Sequence, residues 1–212
     1  MNDVQVWDAI DYRVACAHYN SRYEIHERLL KAFQENAIHS YVDIALGIEE
    51  AGGNYSAAEH GLGPIILQQS SHEKVFQLAR RLYTCQVPAQ IPDIIYAENI
   101  PFLKVSVGSE MAALLKPELF WVANTRTIWA HLVMKHKNVQ SANFELRAYH
   151  EEMPSEMAYH LWKQIYPLVG SSMTILASLG TKIAQAKGIE PGTVRFLWAD
   201  AIADTSYNKY SH

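Results

Sequence analysis

Apolar residues recur at helical spacing along most of the chain. Leu30, Phe33, Ala37, Tyr41, Ile44 and Ile48 fall at three- and four-residue steps and predict an amphipathic helix within residues 21–50, stopped by Gly52, Gly53 and Asn54. Ser70 or Ser71 can cap a helix through Phe76, Leu78, Ala79 and Leu82 that ends before Pro88. Pro88, Pro92 and Pro101 then predict an extended, turn-rich connector. Toward the C-terminus, Pro154, Ser155 and Glu156 open a helix through Leu161, Trp162 and Ile165, and two more follow, divided by a turn at Gly188–Pro191. No fixed-period repeat and no clean linker interrupts the pattern. The expected organisation is a compact unit with a distinct middle: 1–100 helical, 101–137 the middle element, and 138–212 helical.

The middle changes period. Phe102 to Val107 alternates, with Leu103, Val105 and Val107 on one face of a strand and Phe102, Lys104 and Ser106 on the other. Gly108 and Ser109 end that run. Ser109 can cap a short helix with Glu110 in its first turn and Met111, Leu114 and Leu115 as its apolar side, closed by Pro117. A longer helix follows through Ile128, Trp129, Leu132 and Val133 to about His136, starting either at Pro117 or at Asn124/Thr125. A lone strand leaves backbone donors and acceptors unpaired at its edges, and a second copy related by a two-fold axis would pair one of them. That is the logic of a ribbon-helix-helix dimer, whose outward ribbon face enters the DNA major groove. The expected fold class is therefore mainly α with a short β-ribbon, a ribbon-helix-helix element embedded in a homodimeric helical domain. An ordinary hairpin within one chain, with Asp93–Ala97 as the partner strand and Glu98–Pro101 as the turn, stays open as the alternative.

Composition narrows the class. The 212 residues are 49% hydrophobic and 19% charged, which excludes a disordered or collagen-like chain. The nearest approach to a membrane span, Gln164 to Thr181, is interrupted by Pro167, Gly170, Ser171, Ser172 and Gly180. The start of the chain, with Asp3, Asp8 and Asp11, does not resemble a secretory leader. Cys16 and Cys85 lie far apart without a CxxC, as suits a reducing compartment, so a cytoplasmic protein without a membrane partner is expected. Net charge is −4, yet residues 101–140 hold five Lys/Arg against two Glu, net +3, leaving −7 for the rest. A basic segment in an acidic chain suggests a polyanion-facing surface on one element, with chance clustering on a solvated face as the plainer account.

Three phrases, Val107–Ala112, Phe120–Trp129 and Val194–Ile202, resemble the AcaB-like regulator family of conjugative plasmids and integrative conjugative elements. The resemblance covers roughly the second half of the chain. It implies a transcriptional regulator, an activator of conjugative transfer genes, that binds a pseudo-palindromic operator in double-stranded DNA as a homodimer and meets RNA polymerase there. In that arrangement Lys104 and Ser106 would read base edges, and Phe102 would pack on a thymine methyl or the ribbon rim. Free N–H groups near Asn124 and Thr125 would hold a phosphate, with Arg126 and Lys116 adding charge. The ribbon would lie mid-chain instead of at the N-terminus as in minimal members of the fold, and its first helix is short and cut by Pro117.

Other constellations carry less. Ile183–Arg195 resembles a helix-turn-helix through Ala184, Gly188 and Val194, but its second helix offers Arg195 alone before Leu197, Trp198 and Ala199. Glu35, His39 and Asp43 fall at i, i+4 and i+8, and Glu156/His160 repeats the first step; facing helices with such pairs could build a carboxylate metal site, although no Glu-x-x-His occurs. On a helical wheel these residues oppose the apolar stripes, which favours a solvated face. Glu151 and Glu152 beside His150 read as a polar helix end before Pro154. There is no HExxH, GxSxG, phosphate-loop or GxGxxG pattern, so neither enzyme activity, nor a metal, nor a cofactor is expected. A helical protein-interaction module of a mobile element without DNA affinity is the alternative function, and a helical metalloenzyme a distant third.

Overall fold

The computed structural model describes residues 3–48, 52–150 and 155–211, and the side chains at all of these except 3, 4, 148–150 and 155–160. Its helices are α1 (Asp3–Asp8), α2 (Tyr12–Gln34), α3 (Ile38–Ala45), α4 (Tyr55–Ala58), α5 (Leu62–Gln69), α6 (His72–Thr84), α7 (Ile91–Glu98), α8 (Val105–Leu115), α9 (Thr125–His136), α10 (Val139–His150), α11 (Ser155–Ala186) and α12 (Arg195–Tyr210), with a 3₁₀ turn at Pro88–Gln90. The described residues contain no strand. They divide into two compact units, one of Met1–Ser21 with Thr125–His212, the other of Arg22–Asn124, so that one division falls inside α2.

The mainly α expectation stands; the β-ribbon does not. Phe102 takes a left-handed turn at φ 63°, Lys104 becomes the N-cap residue, and Val105 onward is helix. The first helical bond runs from the Gly108 N–H to the Lys104 carbonyl, 2.9 Å. Every residue of α8 from Val107 to Leu115 is buried. Valines at alternate positions therefore reflect a helix enclosed on all sides, where apolar residues suit every face, and tertiary context overrides β-propensity. The alternative hairpin fails for the same reason, since Asp93–Ala97 lies within α7, with Pro92 in its first turn. The connector expected around Pro88 and Pro92 is thus a 3₁₀ turn leading into a helix.

Two further boundaries differ. The helix expected over 21–50 is two helices. Asn36, at φ 54°, closes α2: its own N–H reaches the Phe33 carbonyl at 3.1 Å and the Ala37 N–H reaches Ala32 at 2.9 Å, a left-handed C-terminal motif that asparagine tolerates. Conversely, no break follows Ile165. Pro167 lies inside α11, whose buried stripe of Tyr166, Val169, Met173, Leu176 and Ala177 continues past it. Ser71 caps α6 as expected, its hydroxyl accepting from the Lys74 N–H at 3.2 Å.

Each unit has an aromatic core. In the first, Trp129 of α9 meets Trp7 and Tyr207 edge-on at 6.2 and 5.8 Å, and Trp198 of α12 lies 6.1 Å from both Tyr12 and Tyr19. Helices α10, α11 and α12 all pack on α9. In the second, Phe33, Tyr41, Phe76 and Tyr83 form one cluster, with Phe33 4.8 Å from Tyr83 and Tyr41 5.2 Å from Phe76.

Candidate nucleic-acid interface

The residues expected to face DNA have other employment. Lys104 and Ser106 sit at the N-cap and in the first turn of α8, where two positions turn about 200° around the axis, so they share no face. Phe102 is 44% exposed in the turn before them. Lys116 closes α8, and its ammonium donates to the carbonyls of Tyr83 (3.1 Å) and Cys85 (2.9 Å) at the end of α6. Asn124 is buried at 9% exposure and Thr125 opens α9, the later of the two starts considered. Arg126 pairs with Asp204 at 2.6 Å within the first unit. Phe102, Lys104, Ser106, Lys116 and Asn124 belong to one unit, Thr125 and Arg126 to the other.

The helix-turn-helix resemblance at 183–195 ends in a helix that packs inward. Phe196, Leu197, Trp198, Ala199, Ala201 and Ile202 are all buried, and the Tyr19 hydroxyl accepts from the N–H groups of Thr193 and Val194 at 3.2 Å. The first turns of that helix, which would have to enter a groove, are thus turned into the core.

Within the second unit the chemistry of α8 is structural. Glu110 is 1% exposed and pairs with the fully buried Arg22 at 2.6 Å. Its other contacts close the start of α4: Oε1 accepts from the Tyr55 N–H (2.7 Å), and Oε2 from the Ser56 N–H (2.9 Å) and hydroxyl (2.6 Å). Asn54 completes the cap, accepting from the Ala57 N–H at 3.0 Å and donating to the Val107 carbonyl at 2.9 Å. Arg22 also stacks 4.6 Å over the Tyr55 ring. A carboxylate satisfied this fully tethers α2, α4 and α8 together and has no lone pair left for a ligand.

Helix α10 presents polar and aromatic side chains to solvent. It is joined to α9 by two residues, Lys137, left-handed at φ 52°, and Asn138, whose carboxamide oxygen accepts from the Ser141 N–H at 3.0 Å and so caps α10. The inner side is anchored by buried Ala142 and Leu146 and by Asn143, which accepts from the Trp129 indole N–H (2.6 Å) and donates to the Tyr210 carbonyl (3.4 Å). Glu145 is occupied by the basic last turn of α9, with Lys135 at 2.7 Å and His136 at 2.5 Å. This leaves Gln140, Ser141, Phe144 and Arg147 exposed on one side of the helix, Phe144 at 79%. A shallow groove of about 520 Å³ runs beside them, lined by His136, Gln140, Ser141, Phe144 and Glu145. Residues 125–147 carry four Lys/Arg against the single Glu145.

The middle element expected from the sequence ends at residue 137, before these side chains. The available signal was Asn138 as a cap before an amphipathic dodecamer in which Ala142 and Leu146 alternate with polar residues.

His131 Nδ1 lies 2.8 Å from the Ser172 hydroxyl, a pair that joins α9 to α11. Burial, and then the charge of Lys135, push the imidazole below its usual range, while Glu145 opposes and His136 adds to the shift. No cluster of three or more metal-ligating side chains is assembled among the described residues. Glu35 and His39 are exposed, as expected. Glu151, Glu152 and Pro154, and the side chains of His150, Glu156 and His160, lie outside what is described. No helix among the described residues is long and apolar enough to cross a membrane. Compared with known proteins, the chain matches no family model, no curated protein and no solved structure.

Proposed function

We propose that the protein is a DNA-binding transcriptional regulator of conjugative transfer genes, and that α10 is its reading helix. The observation that carries this reading is the solvent face of α10: an amide, a hydroxyl, an exposed aromatic ring and a guanidinium on one side of a capped helix, with Lys137 at its head. Glutamine pairs with adenine and arginine with guanine through two hydrogen bonds each, and an aromatic ring packs on thymine methyls, so the face holds a usable set of base contacts. Lysine at the helix start suits a phosphate. The ion pair of Glu145 with Lys135 offsets the repulsion that a carboxylate would bring to a polyanion. The genetic setting and the homodimeric, pseudo-palindromic mode of binding rest on the family resemblance. RNA polymerase is the further partner of an activator of that kind.

The test is a gel shift against upstream regions of the neighbouring genes over a series of salt concentrations. Specific binding that weakens steeply with salt is expected, and Lys137→Ala should lower the slope of log K against log salt by about one. Absence of binding to any such region at about 50 mM salt overturns the reading. In that case the 79% exposed Phe144 favours the second account, a helical module that places an aromatic anchor in a protein partner.

A further inference from the structure

We propose that His39 and His72 form a surface site for a divalent transition-metal ion of the Zn²⁺ type. His39 lies in the first turn of α3 and His72 is the first residue of α6. The two helices are packed together beneath them through Tyr41 and Phe76, 5.2 Å apart and edge-on, so the imidazoles project from one supported ridge. Their ring centres stand 4.3 Å apart at an interplanar angle of 46°.

Two imidazoles on one tetrahedral Zn²⁺, with nitrogen at about 2.0–2.1 Å, hold their ring centres about 5 Å apart. The observed separation thus needs an opening of only about an ångström, which the exposed His39 and half-buried His72 can supply by side-chain rotation. Among the described residues neither ring has a hydrogen-bond partner that ligation would displace.

Charge at the site is suitable. Glu73, exposed and next in sequence to His72, sets a carboxyl group beside the pair. The nearest cation in sequence, Lys74, directs its ammonium to the Asn99 carbonyl at 3.4 Å. Imidazole nitrogens favour zinc, nickel and copper over magnesium or calcium, which prefer all-oxygen shells. Water would complete the coordination, and the ion would clamp α3 to α6.

The full chain without an affinity tag is titrated with Zn²⁺ while thermal unfolding is followed, and Cu²⁺ is then used as a spin reporter. The expected result is a rise in Tm saturating at one equivalent, and a Cu²⁺ resonance spectrum showing two nitrogen ligands. His39→Ala and His72→Ala, both folded by circular dichroism, should each weaken binding about tenfold or more and leave a one-nitrogen spectrum. Zn²⁺ binding of wild-type strength in either variant, or no saturable binding by the wild type, overturns the proposal.

Discussion

Glu110 accepts three hydrogen bonds and pairs with Arg22, and its burial decides their weight. An exposed pair such as Arg81–Glu98, where Arg81 is 43% accessible, contributes about 0–1 kcal/mol. Arg22–Glu110, with both side chains 1% accessible, is different in kind: removing one partner strands a buried charge. Glu110→Ala should destabilise the fold by about 3–5 kcal/mol, measurable as a lower midpoint in urea. Acid should act through His131. Its folded pKa is depressed below the ordinary value of 6.5, so the folded state binds fewer protons than the unfolded chain. The stabilisation is complete above pH 6.5 and declines as pH falls toward the depressed value. Melting curves between pH 8 and 5, taken as roughly bracketing the ordinary imidazole range, should show a shallower acid-side loss for His131→Gln than for wild type. Neither residue's role was legible in sequence. Glu110 was placed in a first turn beside a helix dipole, because nothing in the linear order pairs it with Arg22 or with the N–H groups of Tyr55 and Ser56.

Helices were legible where one face is buried and obscure where all faces are. The stripe of α6 and its Ser71 cap were visible because half of that helix meets solvent. Enclosed α8 has no solvent-exposed face, and its alternating valines imitate a strand. Gly108, read from sequence as the end of that strand, instead marks the point where α7 approaches α8. A Cβ there would meet Ile95 Cδ1 and Cγ1 at 2.6 and 2.7 Å. Because those contacts involve the branch atoms of a buried isoleucine, rotation of its tip does not relieve them. Gly108→Ala should therefore destabilise by about 1–3 kcal/mol, despite alanine's higher helix propensity, and a double variant with Ile95→Val should recover part of the loss. The break expected after Ile165 and the single helix expected across Asn36 show the converse. A proline is tolerated in α11, where the buried stripe on both sides of it holds the helix together. A single left-handed asparagine suffices to end α2 where the second amphipathic stripe takes a new direction.

At the scale of the molecule, two helical units with separate aromatic cores present recognition chemistry on α10 in one and a histidine pair on α3 and α6 in the other. The basic bias of the middle of the chain was legible, but its assignment was not. Lys116 and Arg126 are spent on helix ends and an ion pair, whereas Arg147 and Lys137 stand in solvent. Sequence order alone does not separate a structural lysine from a free one. The measurement that bears most directly on the proposed function is fluorescence anisotropy of a labelled upstream DNA fragment titrated with three proteins. These are the wild type, Gln140→Ala/Phe144→Ala/Arg147→Ala, and Lys104→Ala/Ser106→Ala. The predicted result is a loss of about 100-fold or more in the first variant, from contacts of about 1–3 kcal/mol each, and wild-type affinity in the second. Full affinity in the α10 variant would contradict the account.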